Sequence, residues 1–305
     1  MRVFVTGATG FIGSAIVDEL INAGHEVLGL ARTDAAAQML TAKGAAVHRG
    51  NLDDPESLRR GAELADGVVH TAFNHDFSTF KDNCDADRKV IESMSAALAG
   101  SVRPLIITSG TGLLKPGGVA TEADAQPSGE GASPRVASEE AAMAAAANGV
   151  HTSIVRLPPS VHGDGDHGFV PFLIGLAREK GVSAYVGEGM NHWPAVHRFD
   201  AARLFRLALE KNAVGARYHG VAEEGIPFRE IAEVIGRRLN LPVAGKTKEE
   251  AAAHFGWFAH FAAIDNRSSS AQTRALLGWE PVQPGLLADL DRAAYFENRS
   301  VVSHS

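Results

Sequence analysis

Cysteine is almost missing from this sequence. Cys84 stands alone, which excludes an internal disulfide and fits a reducing compartment. It reads as an ordinary thiol. No apolar run approaches the roughly 20 residues that a bilayer-spanning helix needs. The chain opens directly on strand-like MRVFVTG with no charged-then-apolar leader, so a cytoplasmic location and no membrane partner are expected. Basic residues are outnumbered, 29 against 36, and the net charge of −7 argues against a nucleic-acid partner. Tyrosine is scarce too, with three in the chain, at positions 185, 218 and 295. What remains is ordinary for a globular protein. The 305 residues are 45% hydrophobic and 21% charged, enough for one large or two smaller domains.

The pattern is regular over the first half. Arg2 to Thr6 is a short apolar run that ends in glycine, hence a buried strand. From Phe11 to Ala23, the residues Ile12, Ile16, Val17, Leu20 and Ile21 recur at helical spacing, and Gly24 stops the helix. Strand-like runs follow at 26–30, 46–48, 67–71, 104–108 and 152–156, with helices at 35–43, from Pro55, at 85–100 and at 135–147 between them. Runs apolar throughout suit parallel strands covered on both faces, and the alternation predicts an α/β fold, a doubly wound parallel sheet. Residues 110–134 carry no periodicity and read as a long loop. Helices are predicted at 169–180, 201–211, 228–239 and 268–277, and 217–221 reads as a strand returning to the sheet.

Between the first strand and first helix lies Thr6-Gly7-Ala8-Thr9-Gly10-Phe11-Ile12-Gly13. Gly7 permits the sharp turn, Gly10 lets backbone approach a pyrophosphate, and Gly13 lets the helix pack on its strand. The helix N-terminus offers unpaired N–H groups and partial positive charge to phosphate. At the end of the second strand, nineteen residues after Gly13, stands Arg32. NAD proteins usually place an acid about there for the ribose hydroxyl. An arginine fork suits a 2′-phosphate, so NADP is favoured and NAD is the lesser expectation. Asp34, two residues on, is the competing ribose ligand.

With these residues, the chain resembles the extended branch of the short-chain dehydrogenase/reductase superfamily, in an atypical form. Gly50-Asn51-Leu52-Asp53 is similar to the family's adenine-contacting segment, and His70-Thr71-Ala72-Phe73 to the one that lines the cofactor. Thr108-Ser109-Gly110 resembles the strand end with the active-site serine. Arg156 to Gly163, with Pro158 and Pro159, resembles the stretch beside the nicotinamide, where a tyrosine often stands at His162. Val196 to Ala201 resembles the return to the nucleotide domain, and Leu276 to Pro281 the family's ending. The resemblance implies a Rossmann-type domain over 1–158, with 195–221 returning to it. It implies a smaller mixed α/β substrate region over 159–194 and 222–305. Cofactor contacts are expected from Gly7, Thr9, Gly10, Phe11, Ile12, Gly13, Arg32, Leu52, Asp53, Thr71, Ala72, Phe73 and Pro158. A homodimer contact through the alanine-rich helix follows by analogy.

The family's proton device is Tyr-x-x-x-Lys on that helix. Counting from Ser109, its frame falls on Arg135 and Glu139, and no Tyr-x-x-x-Lys occurs anywhere in the chain. Two residues four apart share a helix face, so Arg135 and Glu139 also read as an ordinary surface pair. Tyr295 and Arg299 read as another such pair. Glu139 cannot mimic a lysine, since a carboxylate raises the pKa of a nearby hydroxyl. Arg135 stays charged and suits stabilising a developing oxyanion rather than giving a proton. Ser109, with Thr111, is placed to hydrogen-bond a substrate oxygen. His162 titrates near neutrality and is the replacement proton donor, while His197 reads as structural, packed near Trp193. His162-Gly-Asp164-Gly-Asp166-His167 matches no usual zinc or calcium spacing, so no metal is expected. Asn74, His75 and Phe77, with Phe169, Phe172 and Trp193, supply pocket wall or core.

The sequence thus points to an NADP-dependent oxidoreductase. Its substrate would be a small, partly apolar carbonyl or alcohol compound, and its catalytic residues Ser109, Arg135 and His162. Two alternatives stay open: a catalytically silent NADP-bound sensor or scaffold, and an epimerase or dehydratase with tightly held cofactor.

Overall fold

A computed structural model describes residues 1–114 and 117–297. The first half alternates strand and helix without a break: β1 (Arg2–Thr6), α1 (Phe11–Asn22), β2 (Glu26–Ala31), α2 (Asp34–Ala42), β3 (Ala46–Arg49), α3 (Pro55–Glu63), β4 (Gly67–His70), α4 (Phe80–Leu98), β5 (Leu105–Gly110), α5 (Val136–Ala147) and β6 (Thr152–Leu157). Local chemistry sets the helix starts. Thr33 accepts from the Ala36 N–H at the head of α2, and Asp54 accepts from Ser57 at the head of α3, where Pro55 fills the first turn.

Seven parallel strands form one sheet, ordered β10-β6-β5-β4-β1-β2-β3, where β10 is Arg217–His219. Alternate residues of β1 feed opposite faces. Val3 and Val5 pack with Ile16, Leu20 and Phe205, while Phe4 packs with Leu58 and Met94. Both faces are therefore apolar, which is why the strands read as unbroken hydrophobic runs.

The remaining elements are β7 (Ser160–His162), α6 (Phe169–Lys180), β8 (Ser183–Val186), β9 (His192–His197), α7 (Arg198–Lys211), then after β10, β11 (Glu223–Pro227), α8 (Phe228–Leu239), β12 (Val243–Lys246), α9 (Lys248–Phe255), α10 (Ala259–Ala263), α11 (Ala271–Leu277) and α12 (Leu286–Leu290). They make a three-stranded sheet, β11-β9-β7, and a pair, β12-β8, around a core of Trp193, Phe228 and Phe258. Helix α7 packs on α1, on the main sheet's own face. The C-terminal segment clips onto α7: Trp279 donates to the Asp200 carbonyl at 3.0 Å, and the Asp200 carboxylate accepts from Val282 and Gln283.

Some starts differ from the periodicity. Helix α4 begins at Phe80, not at 85, because the Phe80 ring packs against Phe73 and Phe77 and extends the helix with it. Helix α7 begins at Arg198, where the His197 side chain caps it by accepting from Phe199. The strands of the two small sheets escape sequence reading because they are short and mix polar with apolar residues.

Candidate active site

All the residues expected at the cofactor lie at the carboxyl-end edge of the main sheet. The glycine turn follows β1, Arg32 follows β2, Leu52 and Asp53 come after β3, Thr71 to Phe73 after β4, and Pro158 after β6. The crevice between β1 and β4 is where the strand order reverses, the usual ligand position in such sheets. Gly7 has φ +66°, and a Cβ there would sit 2.8 Å from the Ala72 nitrogen. Thr71 Oγ1 donates to the Thr6 carbonyl at 2.8 Å, tying the two segments together. A Cβ on Gly13 would lie 2.0 Å from the Gly7 carbonyl oxygen. Gly10 at the head of α1 has no side chain to cap the first N–H groups. That open helix end behind a backbone cradle fits a dinucleotide diphosphate.

Arg198 adds a cation that the sequence reading does not include. Its guanidinium lies over the Phe11 ring, with Cζ 4.6 Å from the centroid. It donates to Ser14 Oγ and to the Asp164 carbonyl, both at 2.8 Å. His167 meets the Phe11 ring edge-on at 5.7 Å, so the loop 163–168 folds down beside the glycine turn. An arginine at a helix N-terminus opposes the helix dipole, and that anomaly in Val196-His197-Arg198 is the signal that would have found it.

The polar groups at the end of β5 belong to two buried networks. In the first, Thr6 Oγ1 meets His70 Nδ1 at 2.7 Å, and His70 Nε2 meets Asp87 Oδ1 at 2.9 Å. Asp87 Oδ2 accepts from Arg135 at 2.7 Å and from Ser138 at 2.5 Å. Arg135 also donates to the Thr108 carbonyl and lies under the Phe73 ring at 4.2 Å. Burial alone would push the Asp87 carboxyl up, but His70, Arg135 and Ser138 together outweigh it and hold it well below the usual carboxylate range. Asp87 sits on the stripe that α4 buries with Val90, Ile91 and Met94, and a carboxylate on an apolar stripe was its readable signal.

In the second network, Glu139 takes Arg156 through two parallel bonds, Nε to Oε1 at 2.9 Å and NH2 to Oε2 at 2.8 Å. Gln126 Nε2 donates to Glu139 at 2.7 Å and to Ser109 Oγ at 3.0 Å. Ser109 therefore accepts from Gln126 and keeps its own O–H free to donate. Arg135 and Glu139 do not form the surface pair that their spacing allows. Asp87 claims one and Arg156 the other, because both are turned inward from α5 toward opposite-charge partners already buried. Nothing in the aperiodic loop marks Gln126 as special.

His162 lies on β7 with its side chain sealed from solvent and its Nδ1 2.9 Å from Asp289 Oδ2. Its ring meets His197 edge-on at 5.3 Å. His197 packs on His162 and Phe199, not on Trp193. Tyr295 accepts from the Gly163 N–H and donates to Asp166, while its expected partner Arg299 lies outside the described residues. Burial pushes the Asp166 carboxyl up to about 6. Among the described residues no three His, Cys, Asp or Glu side chains come together as a metal-ligand set. No helix among them is long and apolar enough to cross a membrane.

His75 is the titratable group that packs on Phe73. It is exposed, its ring meets Phe73 edge-on at 5.1 Å, and Phe73 in turn covers Arg135. The surrounding protein, then the charge of Arg135, holds this imidazole below its ordinary value.

Comparison with known proteins places this geometry. An uncharacterized protein of Schizosaccharomyces pombe is 52% identical over 97% of this chain and 100% of its own length. The sterol-4-alpha-carboxylate 3-dehydrogenase, decarboxylating, of Dictyostelium discoideum is 28% identical over 75% of this chain and 73% of that one. The solved structure of DesIV, a dTDP-glucose 4,6-dehydratase from Streptomyces venezuelae with NAD bound, shares the fold at a TM-score of 0.77, with 21% identity and 98% of each chain covered. The NAD dependent epimerase/dehydratase family model matches residues 3–221, and with the glycine turn, the parallel sheet and the crevice at β1 and β4 in place, the chain belongs to that family.

Proposed function

We propose that this protein is an NADP-dependent oxidoreductase that interconverts a small, partly apolar carbonyl compound and its alcohol. The observation that carries the cofactor choice is the state of the charges after β2. Arg32 is exposed and, among the described residues, has no hydrogen-bond or ion-pair partner. Asp34, the competing ribose ligand, is bound to Arg49 at 2.5 Å. A free guanidinium beside an acid already paired with Arg49 suits a 2′-phosphate. The sterol dehydrogenase relative supports carbonyl or alcohol chemistry on an apolar molecule.

When bound, the dinucleotide supplies the hydride that turns C=O into C–H with charge on oxygen. The Ser109 O–H, oriented by Gln126, donates to that oxygen. The proton that completes the alcohol comes from His75. The sequence points to His162 for this step, but its side chain is sealed and bound to Asp289, whereas His75 is exposed beside Phe73. Arg135 is neutralised by Asp87, so its part is to carry Phe73 and with it the loop that presents His75.

Two experiments test this. Arg32→Asp weakens NADPH binding about a hundredfold by calorimetry, the loss of charge-assisted bonds to phosphate, and leaves NADH within about threefold. Equal weakening of both removes the phosphate argument. Carbonyl reduction by wild type slows as pH rises through a value below that of an ordinary imidazole, because the donor must be protonated, and His75→Asn loses the inflection. An inflection that survives in His75→Asn places the donor elsewhere. Tight NADPH binding with no oxidation across a carbonyl panel favours the sensor reading instead.

A further inference from the structure

The segment after β4 carries three phenylalanines that join into a chain of rings. Phe73 covers Arg135 at the inner end and meets Phe80 edge-on at 6.2 Å. Phe80 stacks on Phe77 at 5.6 Å with 23° between planes. Phe77 then stacks on Trp257 at 5.0 Å and 28°. Trp257 comes from the opposite side, the short turn Gly256–Phe258 after α9, where it leans on Phe172 at 5.3 Å and Phe258 at 5.4 Å. Phe77 also meets Phe261 edge-on at 6.4 Å, so its ring links the loop after β4 to the smaller region, with the Trp257 stack as the shorter contact.

These two rings are not core. Phe77 is 40% exposed and Trp257 54%, while Trp193 and Phe258, in the same aromatic network, are fully buried. Two large aromatic rings left partly in water, stacked on each other between the loop after β4 and the smaller region, suit a gate. A ligand that enters here parts the stack. A planar π face restores the lost ring contact on both sides, and a saturated or polyhydroxylated ligand does not. A sugar nucleotide would also bring phosphate charge. The cation at the inner end, Arg135, is already paired with Asp87, and the rings of the span carry no charge.

We infer that Phe77 and Trp257 form an aromatic gate that selects a planar aromatic carbonyl compound as substrate. This rests on the oxidoreductase reading above. The redox step is unchanged: the carbonyl carbon gains a hydride, the oxygen gains a proton, and an aryl alcohol and NADP+ result.

The test uses the full chain, with acetophenone, cyclohexyl methyl ketone and UDP-glucose as probes. Trp193 and Trp279 are fully buried, so acrylamide-quenchable tryptophan emission reports Trp257. On protein loaded with NADP+, acetophenone protects that emission saturably, and the other two probes do not. With NADPH, kcat/KM for acetophenone exceeds that for the cyclohexyl ketone by about tenfold or more, the scale of a lost ring contact. Trp257→Leu erases the preference by lowering the aryl value toward the cyclohexyl value, and Trp257→Phe keeps it. Equal protection by the saturated ketone or the sugar nucleotide, or a preference that survives in Trp257→Leu, overturns the gate. If NADPH binds and acetophenone neither protects nor reacts, the gate falls and the cofactor reading stands. If NADPH itself fails to bind, both fall.

Discussion

Gly13→Ala lowers affinity for NADPH and NADH alike by at least about a hundredfold, which corresponds to about 2.7 kcal/mol or more. The new methyl has no room. It would stand 2.0 Å from the Gly7 carbonyl oxygen and 2.7 Å from the Gly7 carbonyl carbon. Both neighbours are backbone, so neither can swing aside as a flexible side chain would. Relief requires α1 to slide away from the turn, and that moves the helix N-terminus off the diphosphate position. Overpacking of this kind costs stability as well, about 1–3 kcal/mol. Gly24→Ala is the matched control. Its φ is +84°, yet nothing lies within 4 Å of the added methyl. It loses about 1–2 kcal/mol from the strained backbone and keeps dinucleotide binding. Calorimetry and thermal melting on the two variants separate the effects. Near-normal binding by Gly13→Ala would mean that the turn does not cradle the cofactor.

The second large effect is on stability. Glu139→Ala leaves the Arg156 guanidinium, whose side chain is 0% exposed, without its carboxylate. Removing one partner of a buried pair costs about 3–5 kcal/mol, because the surviving charge stays desolvated. The Asp124 carbonyl and His219 remain beside Arg156, but neither carries negative charge. Replacing both members, Glu139→Leu with Arg156→Met, recovers most of the loss, since the desolvated charges leave together. Urea melts of the three proteins read this directly. The single variant also frees Gln126 from Glu139 and so loosens the bond that orients Ser109, which lowers kcat in the fraction that stays folded. A Glu139→Ala protein within about 1 kcal/mol of wild type would show that the pair is solvated and not a buried anchor.

The second prediction concerns α5, the helix on which the resemblance places the proton pair. Spacing says that Arg135 and Glu139 share a face. It does not say that α4 offers Asp87 to one and β6 offers Arg156 to the other. The side chains divide by charge, and the helix becomes a support for the strand ends beside it.

The sequence alone determined the nucleotide half. Apolar runs bounded by glycine and proline dictate parallel strands. The turn from Gly7 to Gly13 dictates a tight strand–helix junction, and 169–180 and 228–239 are helices with the ends their patterns give. These are local matters of backbone freedom and burial period, read within a dozen residues. Tertiary structure decided everything that depends on pairing across the chain: Asp87 with Arg135, Gln126 with Ser109, Phe77 with Trp257, and the sealing of His162 by Asp289. Charge and ring contacts act over a few ångströms in space and leave no period in sequence. Which carboxylate meets which arginine is settled when the layers close.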